Sequence, residues 1–250
     1  MIEIERPALS VVIPAFNEAP RLGPTLRTAL AYLDARRLRA EIIVVDDGSR
    51  DETCAIARGH ALADRRVRWV SLGRNRGKGA AVRTGVNASL GERILYMDAD
   101  SSTPIAELDR LWAVADRGAD VVFGSRGRLS GPARRSQGPL RAALGRAFGA
   151  LVRGLVLEGV DDSQCGFKLF GRAAALKVFA HAALDRFSFD VEVLALARAL
   201  GLRVEEVPVA WRHDPRSRVS PLVEAPLMLY DVLRLRARYG RRPGPAHARP

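Results

Sequence analysis

Four short runs rich in aliphatic residues set the frame: LSVVIPAF (9–16), EIIVVDD (41–47), RILYMDAD (93–100) and ADVVFGSR (119–126). Helix-like stretches near 20–37, 51–63, 77–89 and 104–117 separate them. Strands that are apolar throughout are covered on both faces, and helical crossovers supply that cover. The pattern therefore predicts an α/β fold with a mostly parallel central sheet. A weaker strand is expected over RVRWVSL (66–72) and a last one over RVEEVPVAW (203–211). Helix starts have their own signals: Ser49 or Asp51 as a cap, and Thr103 ahead of a Pro104 at the first helical position. Helices are also expected near 139–157 and 188–200. One domain over 1–220, an amphipathic helix over 221–240 and a disordered tail over 241–250 complete the expected organisation.

In each of the four runs the polar residues gather at the C-terminal end: Asn17 and Glu18, Asp46 and Asp47, Asp98 and Asp100, Ser125 and Arg126. Open parallel sheets bind ligands outside the carboxyl ends of their strands, so the four ends point to one shared site. In extended backbone, residues two apart project to the same side. Asp98 and Asp100 would then converge on one cation, and Mg2+ or Mn2+ held by carboxylates and substrate phosphates suits that donor set. A solvated turn in which Asp100 caps the next helix is the competing reading. Asp46 or Asp47 can accept a hydrogen bond from a base edge, or form a plain Asp-Gly turn. In GRNRGKGAAVRTG (73–85), Lys78 and Arg83 near a helix N-terminus are candidate phosphate partners. The spacing matches neither the Walker nor the G-x-G-x-x-G pattern.

The net charge of +12 favours an anionic partner, although 37 Arg against 3 Lys also reads as a compositional bias. No nucleic-acid reader motif accompanies the charge, and no nucleic-acid partner is expected. Cys54 and Cys165 fall in no metal-ligand spacing. The most apolar stretch, 142–160, is interrupted by Arg146, Arg153 and Glu158 and is not expected to span a bilayer. A cytoplasmic protein is the expectation. The segment GRLSGPARRSQGPLR (127–141) reads as a long loop, either functional or a solvated, disordered turn.

SVVIPAFNE, VVDDGSRDET, NRGKGAAVRTG, DADSSTP, GSR, DSQCGFKLF, RFSFDVEVL and WRH…SRVSP stand in the order found in family 2 glycosyltransferases. The chain resembles that family from about residue 8 to 236, and within it the polyprenyl-phosphate and dolichyl-phosphate sugar transferases. QCGFKLF is most similar to the dolichyl-phosphate β-glucosyltransferase branch. The resemblance implies the GT-A fold, a Rossmann-like sandwich. It also implies that Pro14, Ala15 and Glu18 line a nucleotide pocket and that Asp47 contacts the base. Asp98 and Asp100 become the family's Asp-x-Asp pair, with Asp100 the direct ligand of Mg2+ or Mn2+. Ser102 stands where mannose-transferring relatives have Gln. The Gln-x-x-Arg-Trp signature of processive synthases is absent.

The implied reaction is inverting transfer of glucose from UDP-glucose, or mannose from GDP-mannose, to a polyprenyl phosphate at the membrane surface. A soluble glycan acceptor is the other reading. Lys78 would stabilise the leaving diphosphate. Arg126, with Arg141 or the Arg134/Arg135 pair, would hold the acceptor phosphate. Asp162, Gln164 and Lys168 would face the acceptor side, with Cys165 a small buried residue. His213, Arg216 and Arg218 would lie over the diphosphate. The residues of 222–239, which mix leucines with Arg234, Arg236 and Arg238, suit an interfacial helix on a peripheral protein, with packing against the domain as the alternative.

Overall fold

The computed structural model describes residues 6–126, 139–212 and 221–240. Strands β1 (Leu9–Ala15), β2 (Ala40–Asp46), β3 (Val67–Ser71), β4 (Arg93–Met97), β5 (Val121–Ser125), β6 (Phe167–Gly171) and β7 (Val204–Pro208) form one sheet, in the order β3-β2-β1-β4-β6-β5-β7. Every neighbouring pair is parallel except the two made by β6, which runs against both β4 and β5.

The helices are α1 (Ala19–Ala35), α2 (Thr53–Ala63), α3 (Lys78–Ala88), α4 (Leu108–Ala115), α5 (Pro139–Leu155), α6 (Arg172–His181), α7 (Phe189–Ala199) and α8 (Pro221–Tyr239). Alternate residues of β1 feed two cores, one on each face of the sheet. Val11 and Ile13 pack with Leu22, Leu26 and Leu33 of α1. Val12 packs with Ala81, Val82 and Val86 of α3, in a core that continues into α5, α6, α7 and α8. Tyr96, Phe170, Phe179 and Phe189 form a chain of ring contacts in this second core, with centroids 5.6–6.0 Å apart.

Three differences from the sequence-based expectation bear on the site. β4 stops at Met97 rather than running through Asp100, so Asp98–Asp100 belong to a turn. The helix expected at 104–117 begins as a short 3-10 turn, Ile105–Glu107, and Pro104 lies outside it at ψ 140°. Strand β6 was not foreseen. Because it is antiparallel, its first residue, Phe167, pairs with Met97 at the carboxyl end of β4. The segment leading into β6 is thereby delivered to the same edge as Asp98.

Candidate active site

The turn after β4 is pinned from two sides. The Asp98 amide donates to Gly166 O at 3.1 Å, and Thr25 Oγ1 of α1 donates to Ala99 O at 2.7 Å and lies 2.8 Å from Ser101 Oγ. Ser101 adopts φ 51°, which reverses the chain, and the Ser102 amide donates to Asp100 Oδ1 at 2.8 Å. Asp98 and Asp100 thus stand on turn backbone past the end of β4, not on alternating strand positions, and the charge of each acts on the other. Gly166 leaves the space Asp98 occupies: a Cβ there would sit 2.1 Å from Asp98 Oδ2.

Beneath the turn lies a buried charge network. Lys78, the first residue of α3, holds its Nζ 2.7 Å from Asp98 Oδ1 and 3.7 Å from Asp190 Oδ2. Asp190 also accepts from Lys168 Nζ, and from Tyr96 Oη at 2.6 Å. Burial opposes the Lys78 charge, but Asp98 and then Asp190 outweigh it and hold its pKa above the ordinary lysine value. Burial raises the Asp98 pKa, Lys78 opposes that, and Asp100 adds to it. Two ammonium groups thus pair with Asp98 and Asp190, while Asp100 acts on Lys78 through its charge without an ion pair among the described residues. Sequence reasoning placed Lys168 at the acceptor surface. Instead it is fully buried, with Nζ donating to Cys165 O at 2.7 Å as well as to Asp190. Lys168 therefore acts through Asp190 rather than on a ligand.

The nucleotide side shows two further corrections. Asp47 is buried and spends both oxygens on backbone amides, Arg76 N at 2.6 Å and Gly77 N at 2.9 Å. Burial raises its pKa against those two hydrogen bonds. Asp47 thereby shapes the loop before α3 instead of presenting a carboxylate to a base. Arg83 pairs with Asp185 and donates to Ala182 O at 3.3 Å, so it ties α3 to the α6–α7 connection rather than reaching a phosphate. Gly77 at φ 106° allows this close approach, since a Cβ would meet Asp185 O at 2.3 Å.

Glu18 forms an ion pair with Arg21 beside the turn. Burial raises its pKa against Arg21, and the charges of Asp100 and Asp98 add to the rise. Pro14 and Ala15 lie buried at the end of β1, opposite Val45 and Asp46.

On the acceptor side, Arg126 and Asp162 form a two-pronged pair, Nε to Oδ2 at 2.6 Å and Nη2 to Oδ1 at 2.7 Å. The Arg126 amide adds a third bond to Asp162 Oδ2 at 2.9 Å. Burial opposes both charges, yet each partner outweighs it for the other, so the Arg126 pKa is held up and that of Asp162 down. Glu206 of β7 accepts the Asp161 and Asp162 amides at 2.8 and 2.9 Å. Gln164 leaves a buried Nε2 without a hydrogen-bond partner among the described residues. Trp211 lies under the Arg126 guanidinium at 5.7 Å, and the Arg212 amide donates to Ser102 O at 2.8 Å. The segment after β7 therefore meets both Arg126, at the end of β5, and the Asp98–Ser102 turn. Cys165 is buried, with its thiol pushed up to about 12, which leaves no thiolate to act as a nucleophile.

Arg134, Arg135, His213, Arg216 and Arg218 lie outside the described residues, as does the side chain of Arg141, which belongs to the first turn of α5. Among the described residues no three His, Cys, Asp or Glu side chains come together as a cation cage. What the turn offers is a pair of oxygen donors: Asp100 Oδ2 has no hydrogen-bond partner among the described residues, and Asp98 stands beside it. That set fits a divalent cation of the Mg2+ or Mn2+ kind, which needs few protein ligands when a diphosphate supplies the rest.

Comparison with known proteins agrees with this geometry. The family model described as Glycosyl transferase family 2 matches residues 10–179. A human dolichyl-phosphate beta-glucosyltransferase is 36% identical over 248 residues, covering 92% of this chain and 75% of its own. A Trichomonas vaginalis protein of the same name is 37% identical, covering 88% and 69%. Among solved structures, glucosyl-3-phosphoglycerate synthase from Mycobacterium tuberculosis aligns over 94% of this chain and 81% of its own, with a TM-score of 0.68 at 21% identity. A further structure of that enzyme holds Mn2+, UDP and its glucosylated product. A Pyrobaculum calidifontis mannosyltransferase solved with GDP-Man and Mn2+ aligns over 96% and 67%, with a TM-score of 0.63 at 20% identity. With residues 10–179 matched by the family model and most of its length matched by relatives and solved structures, this chain belongs to glycosyltransferase family 2 and has the GT-A fold.

Proposed function

We propose that the chain transfers glucose from UDP-glucose to a polyprenyl or dolichyl phosphate, working peripherally at the cytoplasmic membrane surface. The observation that carries this reading is the 36% identity over 92% of the chain to relatives named for that reaction. A phosphate monoester acceptor has a second pKa near about 6 and is mostly dianionic at neutral pH, so it attacks without a general base. Its oxygen forms a bond to the anomeric carbon from the face opposite the leaving group. The bond from that carbon to the diphosphate breaks, and its electron pair leaves with UDP.

In this reading Lys78 and the Asp98–Asp100 turn bind the diphosphate end, and the Arg126–Asp162 pair orients the acceptor phosphate. Mg2+ or Mn2+, held by Asp98 and Asp100, supplies positive charge to the departing diphosphate when bound. Pro14, Ala15 and Glu18 flank the nucleotide, and Gln164, with its orphaned amide nitrogen, faces the acceptor.

Purified protein, supplied with radiolabelled UDP-glucose or GDP-mannose and dolichyl phosphate, should produce solvent-extractable label with UDP-glucose alone. Extractable label from GDP-mannose would replace glucose by mannose. Label that stays water-soluble with a phosphorylated or glycan acceptor would replace the lipid. Arg126→Lys keeps the charge but loses the planar fork, and its expected signature is an acceptor KM raised roughly tenfold with donor KM little changed. Equal changes in both KM values would detach Arg126 from the acceptor.

A further inference from the structure

Nine large apolar side chains are exposed among the described residues, and four of them, Leu227, Leu229, Tyr230 and Leu233, lie on α8. The others, such as Leu62 and Leu90, are scattered over separate elements. α8 already has a buried side: Val232 and Leu235 are in the core, Tyr239 packs against it, and the helix rests on α5 and α7. Tyr230, Leu233 and Ala237 recur at the i, i+3, i+7 spacing on the opposite side, flanked by Leu227 and Leu229. The helix thus carries two apolar stripes back to back, and only one is covered by the domain. The last two turns add Arg234, Arg236 and Arg238 with no acid among them. Arg234 lies 5.6 Å from the Tyr230 ring, which groups a cation, an aromatic ring and leucines on one outward face.

We infer that this outward face of α8 docks on an anionic lipid bilayer. The inference rests on the reading that the acceptor is a lipid phosphate, and it adds which surface meets the lipid. An apolar stripe bounded by arginines matches the boundary between acyl chains and anionic headgroups, where leucines bury and guanidinium groups meet phosphate. A second copy is a poorer occupant. Two α8 faces packed in parallel oppose arginine to arginine, and packed antiparallel they lay the arginines over the partner's leucines, with no acid on the outward face among the described residues. α8 is also tied to the site through its packing, since α7, on which it rests, opens with Phe189 and Asp190 of the buried network.

The test is flotation of the full chain with vesicles of phosphatidylcholine, alone or mixed with phosphatidylglycerol. The wild type should float with the mixed vesicles. Leu229→Ser/Tyr230→Ser/Leu233→Ser should weaken that partition by about tenfold or more, since three apolar side chains no longer leave water. Arg234→Ser/Arg238→Ser should remove the preference for phosphatidylglycerol. Transfer to a short, water-soluble polyprenyl phosphate should be unchanged in both variants, which shows that the fold and site persist. Unaltered flotation of the leucine variant overturns the inference while leaving the proposed reaction intact. A wild type that sediments as a dimer, with a monomeric leucine variant, also overturns it, because the face then joins two copies. Flotation as described without transfer to any polyprenyl phosphate would sink the proposed reaction and leave the docking face standing.

Discussion

Asp100→Asn is expected to lower kcat by about 10²–10³-fold or more, the loss that follows removal of a group facing charge developed in the transition state. Asp100 is the carboxylate of the turn that makes no ion pair with a lysine among the described residues, and its Oδ2 has no hydrogen-bond partner among them. Asparagine keeps an oxygen that can accept the Ser102 amide, so the turn should hold its shape. The melting temperature should therefore stay within a few degrees of wild type, because a surface change that spares every hydrogen bond costs about 0.5 kcal/mol or less. Near-normal turnover with Mg2+ present would end the assignment of Asp100. A collapse in stability equal to the loss of activity would show that the residue serves the turn and not the reaction.

Asp190→Asn should act in the opposite order, on stability first. It strips the counterion from Lys168, an ammonium with no exposed surface, and breaking a buried pair from one side costs about 3–5 kcal/mol. For a domain of this size that is a fall in melting temperature of about 10 °C, to be read by thermal unfolding. Adding Lys168→Met should restore most of it, since removing both members of a buried pair is often neutral. The double variant should nonetheless remain slow, because Lys78 keeps Asp98 but has lost Asp190. If kcat returned along with stability, Asp190 would have no part in holding Lys78. If stability did not return, the pair would not be the reason for the loss.

These two residues also mark what the sequence can and cannot disclose. Asp100 was legible because it ends a recognisable apolar run, as were β1, β2, β5 and the helices between them. The reason given for its closeness to Asp98 does not hold, however, since the strand ends at Met97 and both carboxylates stand on the turn beyond it. Strand β6 stayed hidden because GFKLFG has a lysine at a core position, and a lysine in a strand ordinarily signals solvent. Its burial depends on a carboxylate 22 residues further on, a partnership that no local pattern reveals. Arg83 was misread for the same cause, its partner Asp185 lying 102 residues away. Asp47 was correctly placed at a strand end, but its oxygens face the backbone of another loop, which composition and spacing do not encode. RFSFDVEVL was noted as a motif, and its Asp190 could have been suspected as one of two acids, with Glu192, in the first turn of a mostly apolar helix.

The Arg126–Asp162 clasp joins two points 36 residues apart, one leaving β5 and the other just ahead of β6. Between them the described residues add no strand to the sheet, but α5 and the turn after it set Val152, Val156, Leu157 and Val160 into the second core. Chain of another length or composition can therefore enter ahead of α5 without disturbing the strands, while α5 itself must keep that buried face. Diversity of acceptors within one architecture can then accumulate here, at little cost to the machinery that handles the donor.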